Sequence, residues 1–561
     1  MAFDYDMTER GSFTLYDYLY RCIRHDIESG QVDPGDRLPS KRAFAKRLRV
    51  SLVTVEKAYA QLTYEGYIHS RERRGYFVAR LPKRTARPGL AHRDIAAAQA
   101  PLGIATQSRA GSSQASASAV LAAAPSSPSA PPSAFATAGA VSKPSSLSTS
   151  ARDAAPYADF SWPASNPGVA AGLWSKALRA TLAHEGDREL YAPQPSLGSL
   201  RLRRAIAAHL LSFRGMNVDP ESIVVGAGAQ MLYGQVAQLI TAVRSGADGA
   251  TGADGAAGAV RGGSRGSSRG ARPDASPRRP VVALENPGYP RLASIYRSYG
   301  FDVRHVPLDR EGIDMDELEA SGADLVHIMP SHQFPTGRVT SVTRRYELLG
   351  WLVEGDRFLV EDDYDNEFRM AGRPIPPLAS IDVLGRVVYI GTFSKSLGSA
   401  LRLAYMVLPP ALRAVYDDAL GFYSSTVSVV DQICLARLLE SGDYERHVNR
   451  YRKERRDVRD ALLAALADSP AGARIHVEEA DSGLHFVLAV ESSASEGEIA
   501  RIALRHGVRL APMSRYVDDP SGPTPGYDDD MPRFVMQYDG LSLDAVPRCA
   551  QVLSATFLAA R

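Results

Sequence analysis

The stretch Gly391-Thr-Phe-Ser-Lys395-Ser-Leu-Gly-Ser-Ala-Leu-Arg402 sets a lysine in a hydroxyl-rich turn directly after the apolar run Val387-Val388-Tyr389-Ile390. A run of that length and composition reads as a buried strand, so Lys395 falls at a strand's carboxyl end. In open α/β sheets ligands collect at those ends, and an amine held there can form an imine with a carbonyl compound. The chain's eight lysines stand at 41, 46, 57, 83, 143, 176, 395 and 453, and arginine supplies nearly all the other positive charge. Arginine cannot usefully form that imine at neutral pH. Taken alone, Lys395 also reads as a solvated loop cation, and its meaning depends on what else the chain brings to the same sheet edge.

Two further segments supply that context. Phe358-Leu-Val360 is a short apolar run that opens into Glu361-Asp-Asp-Tyr364-Asp365. Three acids at a strand end usually make a solvated turn or a helix start. Beside a pyridine ring, one carboxylate can hold the ring nitrogen protonated and a tyrosine can bond the ring oxygen. Asp362 and Tyr364 are the candidates for those roles, and pyridoxal 5′-phosphate is the carbonyl compound that would use them. The third segment, Ser222-Ile-Val-Val-Gly226-Ala-Gly228-Ala229-Gln230, runs from a strand through small residues into a helix-like stretch. Amides at such a helix start suit a phosphate. The chain order is then phosphate turn, acid–tyrosine pair, lysine.

These residues, together with Glu285-Asn-Pro-Gly-Tyr289-Pro-Arg291 and Pro330-Ser-His-Gln-Phe-Pro-Thr-Gly337, resemble a fold type I aminotransferase. More narrowly, they resemble the aminotransferase-like half of MocR/GabR-type transcription regulators, over roughly residues 157–561. The resemblance implies an α/β large domain with a small α+β lobe. It implies Lys395 as the aldimine lysine, Asp362 on the pyridine nitrogen, Tyr364 on the ring oxygen and Tyr289 stacked on the ring. Gly228, Ala229, Gln230, Thr392, Ser394 and Arg402 would hold the cofactor and its phosphate. Arg291 and Arg515 become candidate clamps for an effector carboxylate, which a planar guanidinium can meet with two parallel hydrogen bonds. Arg533 competes for that role. Phe334 departs from the pattern, because aminotransferases usually carry asparagine there to help hold the ring oxygen. The departure predicts at most a half-transamination, without sustained turnover.

Length, charge and cysteines bound the rest. The chain has 561 residues, 45% of them apolar, a net charge of +2 and three cysteines, Cys22, Cys434 and Cys549. That is too long for one domain. No overall basic field announces nucleic acid, so any such signal is local. The cysteine spacing matches no metal or disulfide pattern, and no metal site is expected. Nothing resembles a signal peptide or membrane span, and a cytoplasmic setting is expected.

The local nucleic-acid signal lies in residues 13–80. Leu15, Leu19, Cys22, Ile23 and Ile27 share one helical face ending near Gly30. Ser40 and Ser51 are placed to cap two further helices, and Tyr67–His69 and Tyr76–Val78 read as two short strands joined by a basic turn. Three helices and a basic hairpin make a winged helix-turn-helix, whose recognition helix fits the DNA major groove. The segments Arg37-Leu-Pro-Ser40-Lys-Arg42, Thr54-Val-Glu-Lys57-Ala-Tyr59 and Gly75-Tyr-Phe-Val78 closely resemble the GntR-family DNA-binding domain. That likeness turns Arg37, Ser40, Arg42, Ser51, Thr54 and Lys57 toward double-stranded DNA, with Arg73, Arg74 and Gly75 at the wing. Leu52 stands where the family often has arginine.

Residues 84–156 turn to Ala, Ser, Pro, Gly and Thr, a composition that cannot bury enough apolar surface to order itself. As a flexible coil this linker spans on the order of 45 Å. That reach suits the domain-swapped, head-to-tail homodimer that the resemblance implies. A second biased run, 243–279, reads as a disordered surface insertion in the large domain. Two functional readings follow. One is a transcription regulator that senses an amino compound, or pyridoxal phosphate itself. The other is a working aminotransferase that carries a DNA-binding domain.

Overall fold

A computed structural model describes residues 5–10, 14–71, 75–79, 157–161, 167–253, 278–370, 375–481, 483–518, 526–527 and 530–560. Its N-terminal helices are α1 (Leu15–Glu28), α2 (Lys41–Leu48) and α3 (Leu52–Tyr64), followed by the hairpin β1 (Ile68–Arg71) and β2 (Gly75–Val78). Ser40 Oγ accepts from the Ala43 amide at 3.3 Å and Ser51 Oγ from the Thr54 amide at 3.1 Å. Each cap therefore satisfies one of the amides that a helix start leaves open. Leu19, Ile23, Phe44, Val55, Tyr59 and Leu62, all fully buried, close the core of this module.

The large domain is built on a seven-stranded sheet of β3 (Ile223–Gly226), β4 (Val281–Asn286), β5 (Asp302–Pro307), β6 (Leu325–Ile328), β7 (Phe358–Asp363), β8 (Val387–Thr392) and β9 (Ala404–Val407). Its spatial order is β3-β9-β8-β7-β6-β4-β5. Only β9 runs antiparallel to its two neighbours. The helix α4 (Ala229–Ala253) leaves β3 through Gly228, and α5 (Val342–Glu354) joins β6 to β7. Buried on both faces, the inner strands β4, β6 and β8 are near-continuously apolar, as strands in such sheets are, while the edge strand β5 is polar and only partly buried. A four-stranded antiparallel sheet of β10 (Ile475–Glu478), β11 (His485–Val490), β12 (Ala511–Pro512) and β13 (Arg533–Gln537) forms the small lobe with the helices Asp443–Ala467 and Val546–Ala559.

Two local differences from the sequence expectations stand out. The acids Glu361, Asp362 and Asp363 lie inside β7 and are buried, where the strand was expected to end at Val360. Helix α4 continues to Ala253, into the segment expected to be an insertion, while residues 254–277 lie outside the described residues. The expected linker, 84–156, and the wing residues Arg73 and Arg74 lie outside them as well.

Candidate cofactor site and DNA-binding face

The carboxyl ends of β3, β7 and β8 bring Gly228, Asp362 and Lys395 to one edge of the sheet. Lys395 sits in the short helix Ser394–Leu397 directly after β8, and its Nζ lies 3.8 Å from Asp539 Oδ2. Beside it, Thr392 Oγ1 accepts from the Ser394 amide at 3.1 Å and lies 2.9 Å from Ser394 Oγ.

Gly228 has φ +86°, and a Cβ there would stand 2.4 Å from Nη2 of Arg402. The guanidinium thus lies against the bare backbone where α4 begins. Ala229 and Gln230 are the first residues of α4, whose first-turn amides have no acceptor within the helix. A glycine that leaves room, a cation and open amides suit a phosphate group.

Asp362 is 2% exposed. Its Oδ2 accepts from the Tyr233 hydroxyl and lies 3.6 Å from His327 Nε2. Its Oδ1 is buried and has no hydrogen-bond partner among the described residues. A buried carboxylate oxygen without a donor is costly. A protonated pyridine nitrogen is the donor that would satisfy it, so the residues present fit pyridoxal phosphate. His327 is held in turn, its Nδ1 lying 2.9 Å from the Tyr296 hydroxyl. Tyr233, His327 and Tyr296 did not emerge from sequence reasoning. Tyr233 lies three residues after Gln230 on α4, and that helical spacing was the available signal.

The Tyr364 hydroxyl lies 3.2 Å from His332 Nδ1, which in turn lies 2.7 Å from Asp365 Oδ2. His485 packs against His332 with ring centroids 4.3 Å apart and shares its Nε2 with the Pro335 carbonyl at 3.1 Å. Burial holds the His485 pKa well below the usual imidazole range, so it stays neutral. Phe334 stands edge-on to Tyr289, Tyr364, Tyr516 and His485 at centroid distances of 5.2 to 6.4 Å. Four aromatic rings thus enclose Phe334. Tyr289 Oη accepts from Gln230 Nε2 at 3.0 Å, tying the ring-stacking candidate to the phosphate turn.

The three arginine candidates separate. Arg533 is buried, 3.3 Å from Glu478, with its guanidinium 3.9 Å from the centre of the Tyr527 ring. Arg291 is exposed at the start of the helix Pro290–Ser298. Arg515 lines a cavity of about 140 Å³ together with Glu285, Tyr289, Arg297 and His327. Burial pushes the Glu285 pKa up to about 8, although it accepts from the Met329 amide at 3.1 Å and the Gln333 amide at 3.4 Å.

On the N-terminal module, Arg37, Ser40, Arg42, Ser51 and Lys57 are exposed, and Thr54 is half-buried. A Cβ on Gly75 would stand 3.4 Å from Arg37 Nε, so the start of the second hairpin strand and Arg37 lie together.

Residues 15–78 match the bacterial regulatory proteins of the gntR family, and residues 274–516 match aminotransferase class I and II. The uncharacterized HTH-type transcriptional regulator YdeL of Bacillus subtilis is 31% identical over 500 residues, covering 89% of each chain. The chain belongs to the MocR/GabR-type transcription regulators. The probable rhizopine catabolism regulatory protein MocR of Rhizobium meliloti is 27% identical over 506 residues, 89% of this chain and 87% of its own. The α-aminoadipate aminotransferase LysN of Thermus thermophilus superposes with a TM-score of 0.55 at 21% identity, covering 72% of this chain and 92% of LysN. That last likeness carries the fold type I architecture alone. This regulator therefore joins a GntR winged helix-turn-helix, a DNA-binding module, to an aminotransferase-like domain. Among the described residues no helix is long and apolar enough to cross a membrane.

Proposed function

We propose that this regulator binds pyridoxal phosphate at Lys395 and that an amino compound, or the cofactor itself, changes its affinity for DNA through linkage between the two sites. The observation that carries the reading is the buried, unpartnered Oδ1 of Asp362 at the sheet edge that Lys395 shares. When bound, the cofactor supplies a carbonyl for amines and a ring that withdraws electrons. The protein's part is to hold it. Asp362 keeps the proton on the pyridine nitrogen, with Tyr233 and His327 fixing the carboxylate. Tyr364 donates to the ring oxygen, Tyr289 covers one face, and Arg402 with the amides around Gly228 neutralises the phosphate. Thr392 and Ser394 shape the turn that presents the Lys395 amine.

Arg515 is the preferred clamp for the effector's carboxylate, because it lines the cavity beside Tyr289 while Arg533 already meets Glu478. Arg291, at the adjoining helix start, is the second candidate. The effector is then a small amino acid or related amino carboxylate. The regulator works in the cytoplasm as a homodimer on paired DNA half-sites, as helix-turn-helix modules commonly do.

Sustained transamination is the second reading. Phe334 weighs against it, since its phenyl ring offers no donor to the ring oxygen and leaves that bond to Tyr364. The test is to add amino acids to the cofactor-loaded protein while following the visible absorption and the release of keto product. A spectral change with at most one product per site supports the sensor, and continuous product formation would replace it with the enzyme.

A further inference from the structure

The carboxylate that faces the Lys395 amine comes from the other lobe. Lys395 belongs to the large domain, in the turn after β8, whereas Asp539 follows the last residue of β13 in the small lobe by two positions. Its Oδ2 lies 3.8 Å from Lys395 Nζ, with the aspartate side chain 3% exposed and the lysine side chain 21%. A carboxylate taken this far out of water is costly unless a cation answers it.

The small lobe fixes residue 539 through its main chain. Arg455, 2% exposed on the helix Asp443–Ala467, donates through Nη1 to the carbonyls of Asp539 and Leu541, both at 2.8 Å. The neighbouring Tyr538 donates its hydroxyl to the Gly483 carbonyl at 2.8 Å and its amide to the Leu484 carbonyl at 3.2 Å. Asp539 is thus held from both sides without help from its own side chain. Burial raises the Tyr451 and Tyr538 hydroxyls, which lie near Asp539, far above the ordinary tyrosine range. His485 of β11, near Lys395, is kept uncharged by its burial.

The charge count of an amine exchange gives this pair a role. When an effector ammonium replaces the lysine on the cofactor carbonyl carbon, the carbon–nitrogen double bond passes from the Lys395 nitrogen to the effector nitrogen. The effector nitrogen gives two protons to the lysine nitrogen, and no water, proton or electron is gained or lost. Lys395 leaves as an ammonium, while the effector's linkage keeps the positive charge that the lysine's linkage carried. Exchange therefore brings one unit of positive charge into the site, and Asp539 is a fixed negative charge beside the freed amine.

We propose that Asp539 is a positioning residue that receives the displaced Lys395 ammonium and so sets how readily an amine effector takes the lysine's place. The proposal rests on pyridoxal phosphate binding at Lys395. Held as an ammonium, Lys395 has no lone pair with which to take a proton from the effector's α-carbon, so the same contact favours exchange over transamination.

Borohydride reduction and mass spectrometry test this on the full-length protein loaded with pyridoxal phosphate. Reduction fixes the cofactor to Lys395 wherever the lysine still holds it, so the modified fraction counts the lysines that an added amine has not displaced. Methylamine is the probe, because it brings the exchanging charge and has no carboxylate to clamp. The concentration that frees half of Lys395 is expected to rise at least about tenfold in Asp539→Asn and in Asp539→Ala, the usual weight of an opposite charge at this range. Asp539→Glu, which restores the charge, should stay close to wild type. All three variants should melt as the wild type does, since Arg455 holds the main chain. Half-displacement at the wild-type concentration in both charge-free variants, or an Asp539→Glu that behaves like Asp539→Asn, would overturn the role of Asp539 and leave the cofactor reading intact. A wild type whose Lys395 is never modified on reduction would overturn the cofactor reading, and this role with it.

Discussion

Gly228 and Arg402 are fitted to each other: a single methyl on the glycine would stand 2.4 Å from the arginine's Nη2. The glycine's φ of +86° adds a second penalty for any side chain. Gly228→Ala should therefore push Arg402 out of the phosphate cradle while the rest of the sheet stays folded. The expected outcome is a loss of at least tenfold in affinity for pyridoxal phosphate, with little change for pyridoxal, which lacks the phosphate. Fluorescence titration with both compounds measures it.

Glu285 ties stability to pH. Its folded pKa of about 8 lies above the ordinary value of 4.5, so the fold keeps a proton that the unfolded chain releases. The folded state then binds more protons between those values, and stability falls as pH rises through that window. The limiting slope for one group is about 1.4 kcal/mol per pH unit. Glu285→Gln removes this group while keeping an acceptor for the Met329 amide. The variant should gain melting temperature relative to wild type as pH rises from 5.5 to 8, and a gap that stays constant with pH would contradict the assignment.

The recognition helix offers two separable changes. Ser51 caps α3 through the Thr54 amide at 3.1 Å, so Ser51→Ala should cost about 1 kcal/mol of stability in the N-terminal module. Lys57 is exposed on the same helix, where a contact to a DNA phosphate would add nonspecific affinity. Lys57→Ala should weaken binding to any duplex and lower the slope of log affinity against log salt by about 1. Melting curves and salt titrations with a mixed-sequence duplex check both.

Much of this architecture was legible because local patterns carry it. The run Val387–Ile390 became β8 with Lys395 directly beyond it, and Ser40 and Ser51 became the caps their spacing suggested. What was not legible came from partners far along the chain. Glu361, Asp362 and Asp363 read as lying just beyond the strand that ends at Val360, because three acids seldom enter a buried strand. Here Arg345 meets Glu361, Tyr233 and His327 meet Asp362, and Arg214 and Tyr389 meet Asp363. Those partners reach β7 from other helices and strands, which no window of local sequence reveals. The engagement of Arg533 follows likewise from the approach of Glu478 and Tyr527, set by the folding of the small lobe.

The most direct measurement is the visible absorption spectrum of the full-length protein with added pyridoxal phosphate, wild type against Lys395→Ala, read after dialysis. A lysine-bound cofactor band should survive dialysis in the wild type and be missing from Lys395→Ala, with both proteins equally folded. A wild type that shows no band, or a Lys395→Ala variant that keeps the same one, would contradict cofactor binding at Lys395.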